Sequence, residues 1–270
     1  MTSGAPCRGR ILIIAGSDSG GGAGIQADIK TVTALGGYAA TAVTAVTVQD
    51  TLGVKAVHPV AADIVEAQAR AVLDDIGADA IKTGMLGARE VVEAAARVLE
   101  RSAAPAVVDP VMISKSGARL LDPAALDAFA ALMIPRAALL TPNAPEAEAL
   151  TGIEVASREG QRRGAAALLR MGAKAVLLKG GHVEGPMIAD LLLAPGGERV
   201  FEHPRLATRH THGTGCTLAS ACAVGLAQGM ALAAAVERAI AYTAEAIAHA
   251  PGFGAGAGPL DHGWPLRERS

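Results

Sequence analysis

Aromatic side chains are scarce in this sequence, which has three Phe, two Tyr and one Trp among 270 residues. A chain of this length buries a large core, and that core therefore has to be built mainly from Ala, Val, Leu and Ile. Proteins that bind single-stranded nucleic acid stack the bases on aromatic rings. The shortage of rings argues against that class of function.

Cysteine is also rare, and Cys7, Cys216 and Cys222 lie at no spacing that metal sites use. An odd number without such a pattern argues against a disulfide framework and a zinc site, and it fits the reducing cytoplasm, where we expect the protein. The net charge is only −2, with both signs interspersed, so no basic surface is available for nucleic acid or an anionic membrane. The predicted ligand is a small molecule.

Long apolar runs are missing as well. The longest run near the N-terminus, Ile11 to Ala15, is too short for a signal-peptide core or a membrane span. We expect residues 1–10 to form a flexible tail. No internal repeat, polar linker or block of like charge marks a boundary in residues 11–270, which are therefore expected to form a single domain.

Short β-branched runs alternate with segments of helical period along most of the chain. This pattern predicts an α/β fold in which parallel strands are joined by right-handed helical crossovers. The predicted strands are Ile11 to Ala15, Ala39 to Thr47, Ala80 to Thr83, Ala106 to Val108, Ala138 to Leu140 and Ala175 to Leu178. The predicted helices are Ile25 to Leu35, Ala62 to Leu73, Glu90 to Arg101, Pro123 to Met133, Glu146 to Leu150 and Glu159 to Arg170.

The alternation of predicted strands and helices ends after Lys179. The segments Ile188 to Leu193 and Arg199 to Glu202 flank a turn-rich tetrapeptide and predict an antiparallel hairpin. Two Ala-rich helices are expected to follow, the first over Leu218 to Gln228, and the glycine-rich segment Gly252 to Gly258 is expected to be a flexible loop.

A glycine-rich segment, Gly16 to Asp28, directly follows the first strand. Glycines let a ligand approach the backbone, and the helix that follows offers free amide donors. The segment also matches a relaxed dinucleotide-binding pattern, but the acidic ribose ligand expected about 20 residues later is missing, which counts against a nicotinamide dehydrogenase. A tight turn explains the glycines equally well, and Asp18 could simply cap that turn.

A second small-residue segment, Thr211 to Thr217, leads into an apolar helix. Small residues at a helix start place several backbone N–H groups around one point, so Gly213, Thr214, Gly215 and Cys216 form a candidate anion hole for a transferring phosphoryl group. The alternative is a plain glycine-rich cap. Cys216 is a candidate base, because the helix dipole should favour its thiolate, whereas Cys222 is expected in the core.

Polar residues follow several strands, where open α/β sheets bind their ligands. Asp109, Asn143 and Glu146 are hard oxygen donors of the kind that Mg²⁺ accepts, although each alone could be a cap or a turn former. Lys179 ends a strand and could contact a nucleotide phosphate, or it could be a solvated lysine. No P-loop pattern occurs in the sequence, so phosphoryl transfer would need this different cradle.

With these segments the sequence resembles the hydroxymethylpyrimidine and phosphomethylpyrimidine kinases of the ribokinase-like superfamily, from about Ile11 to Trp264. The segments that carry the resemblance are Ala15 to Asp18 with Gly21 to Asp28, Lys82 to Leu86, Asp109 to Met112, Thr141 to Glu146, Lys179 to His182 and Thr211 to Thr217. Sugar kinases of that superfamily mostly carry Asp where Cys216 stands, and the pyrimidine kinases carry Cys.

The resemblance implies a ribokinase-like fold, with a central, mostly parallel sheet flanked by helices on both faces. It also implies an unfused, homodimeric kinase of thiamine biosynthesis that uses ATP and Mg²⁺. The pyrimidine would be held by Gly16, Asp28, Gln49, Met85 and Val111. ATP would contact Lys179, Thr211 and Asn143, and the metal would contact Asp109, Asn143 and Glu146.

Other functions remain open from the sequence. Some enzymes of the same Cys-type branch accept pyridoxal, so a pyridoxal kinase is the nearest alternative, and a non-catalytic nucleotide-binding protein is a more distant one. The sequence departs from the family pattern at Asp50, where Asn is usual, and at Ser114, where Ala is usual. Both positions lie beside the predicted pyrimidine site and leave its substrate preference undetermined.

Overall fold

The computed structural model describes residues 8–114, 117–182 and 185–267, so Met1 to Cys7 of the expected tail lie outside the described residues. The first strand already begins at Arg10, the last residue of that tail. The backbone N–H of Arg8 donates to the carbonyl of Gly36 at 3.0 Å. Strand β1 therefore begins one residue before Ile11, the predicted first residue of the domain.

Nine strands of the described chain form one sheet. Their bounds are β1 Arg10–Asp18, β2 Tyr38–Asp50, β3 Gly53–Pro59, β4 Ala80–Thr83, β5 Ala106–Val108, β6 Leu139–Leu140, β7 Val176–Leu178, β8 Met187–Ala194 and β9 Gly197–Pro204. The spatial order is β3-β2-β1-β4-β5-β6-β7-β8-β9. All pairs from β2 to β7 are parallel, and β3, β8 and β9 add antiparallel edges.

The helices of the described chain lie between these strands and after the last one. Their bounds are α1 Gly24–Ala34, α2 Ala62–Asp75, α3 Arg89–Glu100, α4 Leu126–Leu132, α5 Ala144–Thr151, α6 Arg158–Arg170, α7 Thr214–Ala227, α8 Leu232–Ala248 and α9 Trp264–Arg267. The predicted helix from Pro123 to Met133 is divided into a short 3-10 turn, Pro123–Ala125, and α4.

The predicted mostly parallel sheet with helices on both faces is confirmed. Alternate residues of β1 point to opposite faces: Leu12 and Ile14 join the core under α2 to α6, whereas Ile11 and Ile13 join the core under α1, α7 and α8. Both faces are buried, which explains why the central strands appear in the sequence as continuous apolar runs.

The antiparallel strands at the two ends of the sheet were predicted only in part. The hairpin after β7 is present as expected, with β8 and β9 joined through Pro195 and Gly196. Strand β3 was not predicted, because most of its residues are exposed and it carries Lys55 and His58 in place of a buried apolar run. Its edge position leaves one side of the strand unpaired.

Candidate active site

The carboxyl ends of the parallel strands meet at one edge of the sheet, and the start of α7 lies against this edge. Asp18 ends β1, Asp109 follows β5, and Lys179 follows β7. An isolated bridge pairs Asn143, which follows β6, with Lys179. These residues therefore share the edge at which open α/β sheets bind their ligands.

The glycine loop after β1 fits closely against the start of α7. Gly213 has φ +89°, and a Cβ atom on it would lie 1.8 Å from the carbonyl oxygen of Gly22. A Cβ atom on Gly22 would in turn lie 2.5 Å from the ring of His212. Only glycine allows these two segments to touch. This close approach accounts for the two glycines, and ligand binding by the loop stays a prediction.

The first turn of α7 has the backbone arrangement that the predicted anion hole requires. Gly213 is the N-cap, and Thr214, Gly215 and Cys216 are the first residues of the helix. The backbone N–H groups of a first turn have no acceptor within their own helix, and the positive end of the helix dipole lies there as well. A Cβ atom on Gly215 would be 3.3 Å from Lys179 Nζ, so the glycine leaves room for this cation beside the amides.

Lys179 is the centre of a charged cluster. Its Nζ donates to Asp109 Oδ1 at 3.0 Å and lies 3.8 Å from Glu146 Oε2, and Thr141 Oγ1 donates to the same Asp109 oxygen at 2.9 Å. Burial lowers the pKa of Lys179, but Asp109 and Glu146 outweigh it and raise the pKa to about 12. Burial, together with the charge of Asp109, raises the pKa of Glu146 to about 7 despite the opposing charge of Lys179.

The side chain of Asn143 caps helix α5. Its Oδ1 accepts from the backbone N–H of Glu146 at 2.9 Å, and its own N–H donates to Glu146 Oε2 at 2.7 Å, which makes a capping box at the start of α5. The structure therefore shows the alternative that the sequence left open for Asn143, a helix cap. Its contacts with ATP and the metal stay predictions.

The remaining predicted metal ligands suit Mg²⁺ only together with a nucleotide. Among the described residues, no group of three or more His, Cys, Asp or Glu side chains could hold a metal ion. Asp109 and Glu146 still bring two carboxylates to one point. Because Mg²⁺ is commonly bound by one or two carboxylates plus phosphate oxygens and water, this pair fits the ion at a phosphate site.

A cavity of about 330 Å³ opens on one side of the α7 start, between the β8–β9 hairpin and α8. Lys179, Thr211 and Thr214 line it at the α7 end, and Ile240 and Ile247 line its apolar wall. Within the described part of the chain, Thr211 Oγ1 is buried without a hydrogen-bond partner. Such an orphan hydroxyl in a cavity next to a cation fits a polar ligand with phosphates.

A second cavity, of about 200 Å³, opens beside His212, the residue before the N-cap of α7. Gln49 and His212 line it, together with Thr51 and the glycine-rich C-terminal loop at Gly256. The loop predicted to be flexible is bonded to the β2–β3 turn, because Gly256 N donates to Thr51 Oγ1 at 3.2 Å and Ala257 N to Thr51 O at 2.9 Å. It thus forms one wall of the cavity.

Three other residues predicted to bind the pyrimidine are Gly16, Met85 and Val111. Gly16 is in contact with Met85, since a Cβ on Gly16 would be 3.1 Å from the Met85 sulfur, and the carbonyl of Met85 is fixed by the hydroxyl of Thr44 at 2.6 Å. Val111 is half-buried in the turn after Asp109. Gly16, Gln49, Met85 and Val111 therefore remain candidates for the pyrimidine site.

Asp28 differs from this group, and its predicted contact with the pyrimidine stays a prediction without support from its surroundings. The side chain is completely buried, and its two oxygens accept from Lys82 Nζ at 2.9 and 2.8 Å. Ser220 Oγ adds a third bond at 2.7 Å. These partners join β4, α1 and α7 beneath the site, so the carboxylate has no surface left for a ligand.

Cys216 is correctly located but is not the thiolate that the sequence predicts. Burial raises the pKa of its thiol to about 11, and the positive charge of Lys82 only partly offsets this effect. The thiol is therefore the resting form at neutral pH. Cys222 is fully buried in the core, as expected.

Sequence reasoning missed His212 as a site residue. Its Nε2 lies 2.9 Å from Asp18 Oδ2 and 3.3 Å from Gln49 Nε2. Asp18 also accepts from the backbone N–H groups of Gly20, Gly22 and Ala23. Burial raises the pKa of Asp18, but the hydrogen bonds outweigh it and the net direction is downward. The sequence signal that could have identified His212 was its position directly before Gly213, in the predicted anion-hole segment.

In the described part of the chain, no helix has the length and apolar character needed to cross a membrane. A family model described as phosphomethylpyrimidine kinase matches residues 18–261. A hydroxymethylpyrimidine/phosphomethylpyrimidine kinase from Streptomyces coelicolor is 49% identical over 258 residues, which cover 96% of each chain.

Two solved structures are also similar. One is a pyridoxal kinase from Staphylococcus aureus in complex with ADP, with a TM-score of 0.88, 37% identity and coverage of 96% of this chain and 94% of that one. The other is a phosphomethylpyrimidine kinase from Clostridium difficile, with a TM-score of 0.79, 41% identity and coverage of 88% and 99%. By its sequence and its fold, this chain belongs to the phosphomethylpyrimidine kinase family.

Proposed function

We propose that this protein transfers the terminal phosphoryl group of ATP to the hydroxymethyl group of 4-amino-5-hydroxymethyl-2-methylpyrimidine, and then phosphorylates the resulting monophosphate, in thiamine biosynthesis. The observation that carries the proposal is that two cavities are each lined by residues at the α7 start, Thr211 and Thr214 in one and His212 in the other. A nucleotide on one side and a small acceptor on the other would meet at the anion hole.

The larger cavity is the proposed nucleotide site. Its apolar wall suits an adenine ring, and Lys179 would contact the phosphates at the α7 end. Asp109 and Glu146 would hold Mg²⁺ beside them. The ion, when bound, neutralises charge that develops on the transferring phosphoryl group. The S. aureus relative was solved with ADP, which supports a nucleotide in this protein as well.

The smaller cavity is the proposed acceptor site, with Gln49 on its wall. The amides of Gly215 and Cys216 would stabilise the negative charge on the transferring group, and Cys216 Sγ would accept the proton of the attacking hydroxyl. Because the pKa of Cys216 is raised, only the small thiolate fraction could do so at neutral pH.

Pyridoxal kinase is the second candidate, because the S. aureus pyridoxal kinase is similar over nearly the whole chain. An amide such as Gln49 offers one donor and one acceptor side by side, which fits the amino group and adjacent ring nitrogen of the pyrimidine. Pyridoxal has no such adjacent pair. This difference favours the pyrimidine.

The test is a direct comparison of purified protein with ATP and Mg²⁺ on three acceptors: the pyrimidine alcohol, its monophosphate and pyridoxal. Mass spectrometry should show the pyrimidine monophosphate and then the diphosphate, with a much higher kcat/KM than for pyridoxal. Conversion of pyridoxal alone would support the second candidate, and conversion of none of the three would support a non-catalytic nucleotide-binding protein.

The homodimer and the cytoplasmic location are also proposals. Val46 and Val48 on β2 are half-exposed on one face of the β2–β3 hairpin, and their neighbours across the strands, His58 and Ala56, are exposed too. An exposed apolar patch on an edge hairpin suits a second copy. Light scattering should give a dimer mass for the native chain and a monomer mass for Val48→Glu.

A further inference from the structure

His212 and Thr47 approach Gln49 from two sides. Thr47 Oγ1 lies 3.2 Å from Gln49 Oε1, and His212 Nε2 lies 3.3 Å from Gln49 Nε2. Thr47 Oγ1 is also 3.0 Å from the carbonyl oxygen of Ser17. Each of these groups has a limited number of donors and acceptors, and together they decide which way the Gln49 amide faces.

The hydrogen on His212 Nε2 is fixed by Asp18. Asp18 Oδ2 is 2.9 Å away, and an ionised carboxylate can only accept. Nε2 therefore carries a hydrogen whatever the charge of the ring. An amide N–H₂ facing that N–H would bring two donors together, which hydrogen bonding cannot satisfy.

The Gln49 amide can form hydrogen bonds with both neighbours when half a turn of the amide group exchanges the positions of its oxygen and its nitrogen. Its oxygen then accepts from His212 Nε2–H, which is shared with Asp18. Its nitrogen donates to Thr47 Oγ1, whose own hydrogen is used on the Ser17 carbonyl. The hydrogens on His212 Nε2 and Thr47 Oγ1 and one hydrogen of the amide then each meet an acceptor, and amide orientation is properly assigned from such a network.

We propose that His212 is a specificity-determining positioning residue, which holds the Gln49 amide with its oxygen on the His212 side and its nitrogen on the Thr47 side. The second lone pair of the oxygen and the second N–H of the nitrogen remain for a ligand in the cavity that Gln49 and His212 line. The inference rests on the proposed function for the nature of that ligand. The amino group of the pyrimidine donates to the oxygen, and the adjacent ring nitrogen accepts from the N–H.

The direction of the amide selects against a ligand with the opposite pattern. In the 4-oxo analogue of the pyrimidine, the carbonyl accepts and the adjacent ring N–H donates. Against a fixed amide, this ligand brings two acceptors and two donors together. Sites built on such hydrogen bonds reject a mismatched ligand by large factors, whereas a freely rotating amide would accept either pattern.

The experiment compares the 4-amino compound with its 4-oxo analogue, by calorimetric Kd and by kcat/KM, in the native enzyme and in His212→Phe. We expect the native enzyme to prefer the amino compound by about 100-fold or more, and His212→Phe to reduce that ratio below about tenfold, because the amide becomes free to turn. The KM for ATP should change little, since His212 lies on the acceptor side.

Two further variants complete the test. Thr47→Val removes the acceptor on the other side of the amide and should also lower the ratio, which keeps the test valid if His212→Phe fails to fold. His210→Phe makes the same change two residues away, at a ring that contacts the loop at Gly258, and should keep the native ratio.

An unchanged ratio in both His212→Phe and Thr47→Val would overturn the inference, as would a native enzyme that binds both ligands equally. The proposed kinase function fails separately. A protein that binds the amino compound selectively but phosphorylates neither ligand would refute the kinase proposal, while its Kd ratio would still support the role of His212.

Discussion

The raised pKa of Cys216 predicts how the rate should depend on pH. Burial raises this pKa to about 11, so the thiolate fraction at neutral pH is about 10⁻⁴ and rises about tenfold for each unit of pH. If the thiolate accepts the hydroxyl proton, the rate rises with pH, because the active form is the deprotonated one. The expected kcat therefore climbs by about one order of magnitude per unit over roughly pH 6 to 9.

The assay is kcat at saturating ATP and pyrimidine in buffers of constant ionic strength. Cys216→Ala should lower kcat by at least about 10²-fold at the upper end of the range and flatten the pH profile. The KM for the pyrimidine should change little, because the anion-hole amides belong to the backbone. Cys216→Asp is the matched variant: a carboxyl group loses its proton at a much lower pH than a thiol, so the variant should be more active than Cys216→Ala and its rate should level off at a lower pH than that of the native enzyme.

Alkylation measures the same thiol without catalysis. In a Cys7→Ser background, iodoacetamide should modify Cys216 slowly at neutral pH and about tenfold faster per unit of pH, and bound ATP should slow the reaction. Cys222 should stay protected, since it is fully buried and its pKa is about 12. A native kcat that is flat with pH, together with near-normal activity of Cys216→Ala, would refute the thiolate as base and leave positioning and charge stabilisation to carry the reaction.

Three other changes should have separable effects. Gly213→Ala places a Cβ 1.8 Å from a backbone carbonyl and should unfold the α7 start, whereas Gly152→Ala, with a similar φ of +68° and open space around it, should cost only about 1 kcal/mol by urea unfolding. Asp28→Ala leaves Lys82 unpaired in the core and should lower the free energy of unfolding by about 3 kcal/mol; a selective rise in the KM for the pyrimidine with unchanged stability would contradict this. Burial lowers the pKa of His262 to about 4, so the unfolded chain gains a proton first as the pH falls and stability drops by about 2 kcal/mol between roughly pH 7 and 5. His262→Gln should remove that drop, and an equal drop in the variant would exclude His262 as its source.

The fold could be predicted from the sequence largely because its central strands are buried on both faces. Runs such as Ile11 to Ala15 and Ala106 to Val108 have no polar residue to interrupt them, and helical-period segments separate them. Strand β3 lacks this property, since it is an exposed edge that alternates small, charged and apolar residues. Its pairing with β2 depends on the turn at Asp50 and on tertiary position, which the pattern does not encode.

From the sequence, only those features of the candidate site could be predicted that follow from the position of a residue at the end of a strand. The strand-end rule brought Asp109 and Lys179 together, and they form an ion pair 3.0 Å long. The surroundings of a side chain could not be inferred from the same rule. Asp28 is completely buried, and desolvation raises the pKa of Cys216 although its side chain is only half-buried. His212 was missed because its contacts lie 163 and 194 residues away, at Gln49 and Asp18.

The scarcity of aromatic side chains allows helix α7 to pack closely against its neighbours. Helix α7 is made almost entirely of small residues, and a Cβ on its Gly225 would lie only 2.5 Å from the Cβ of Ala235 on α8. Small residues let two helices approach this closely, and large rings at these positions would hold them apart. The same helix carries the anion hole at its start, where Gly213 touches Gly22. Close packing along α7 therefore holds its start against the glycine loop, so a bulky substitution at Gly225 should disturb the proposed phosphoryl transfer even though Gly225 lines neither cavity.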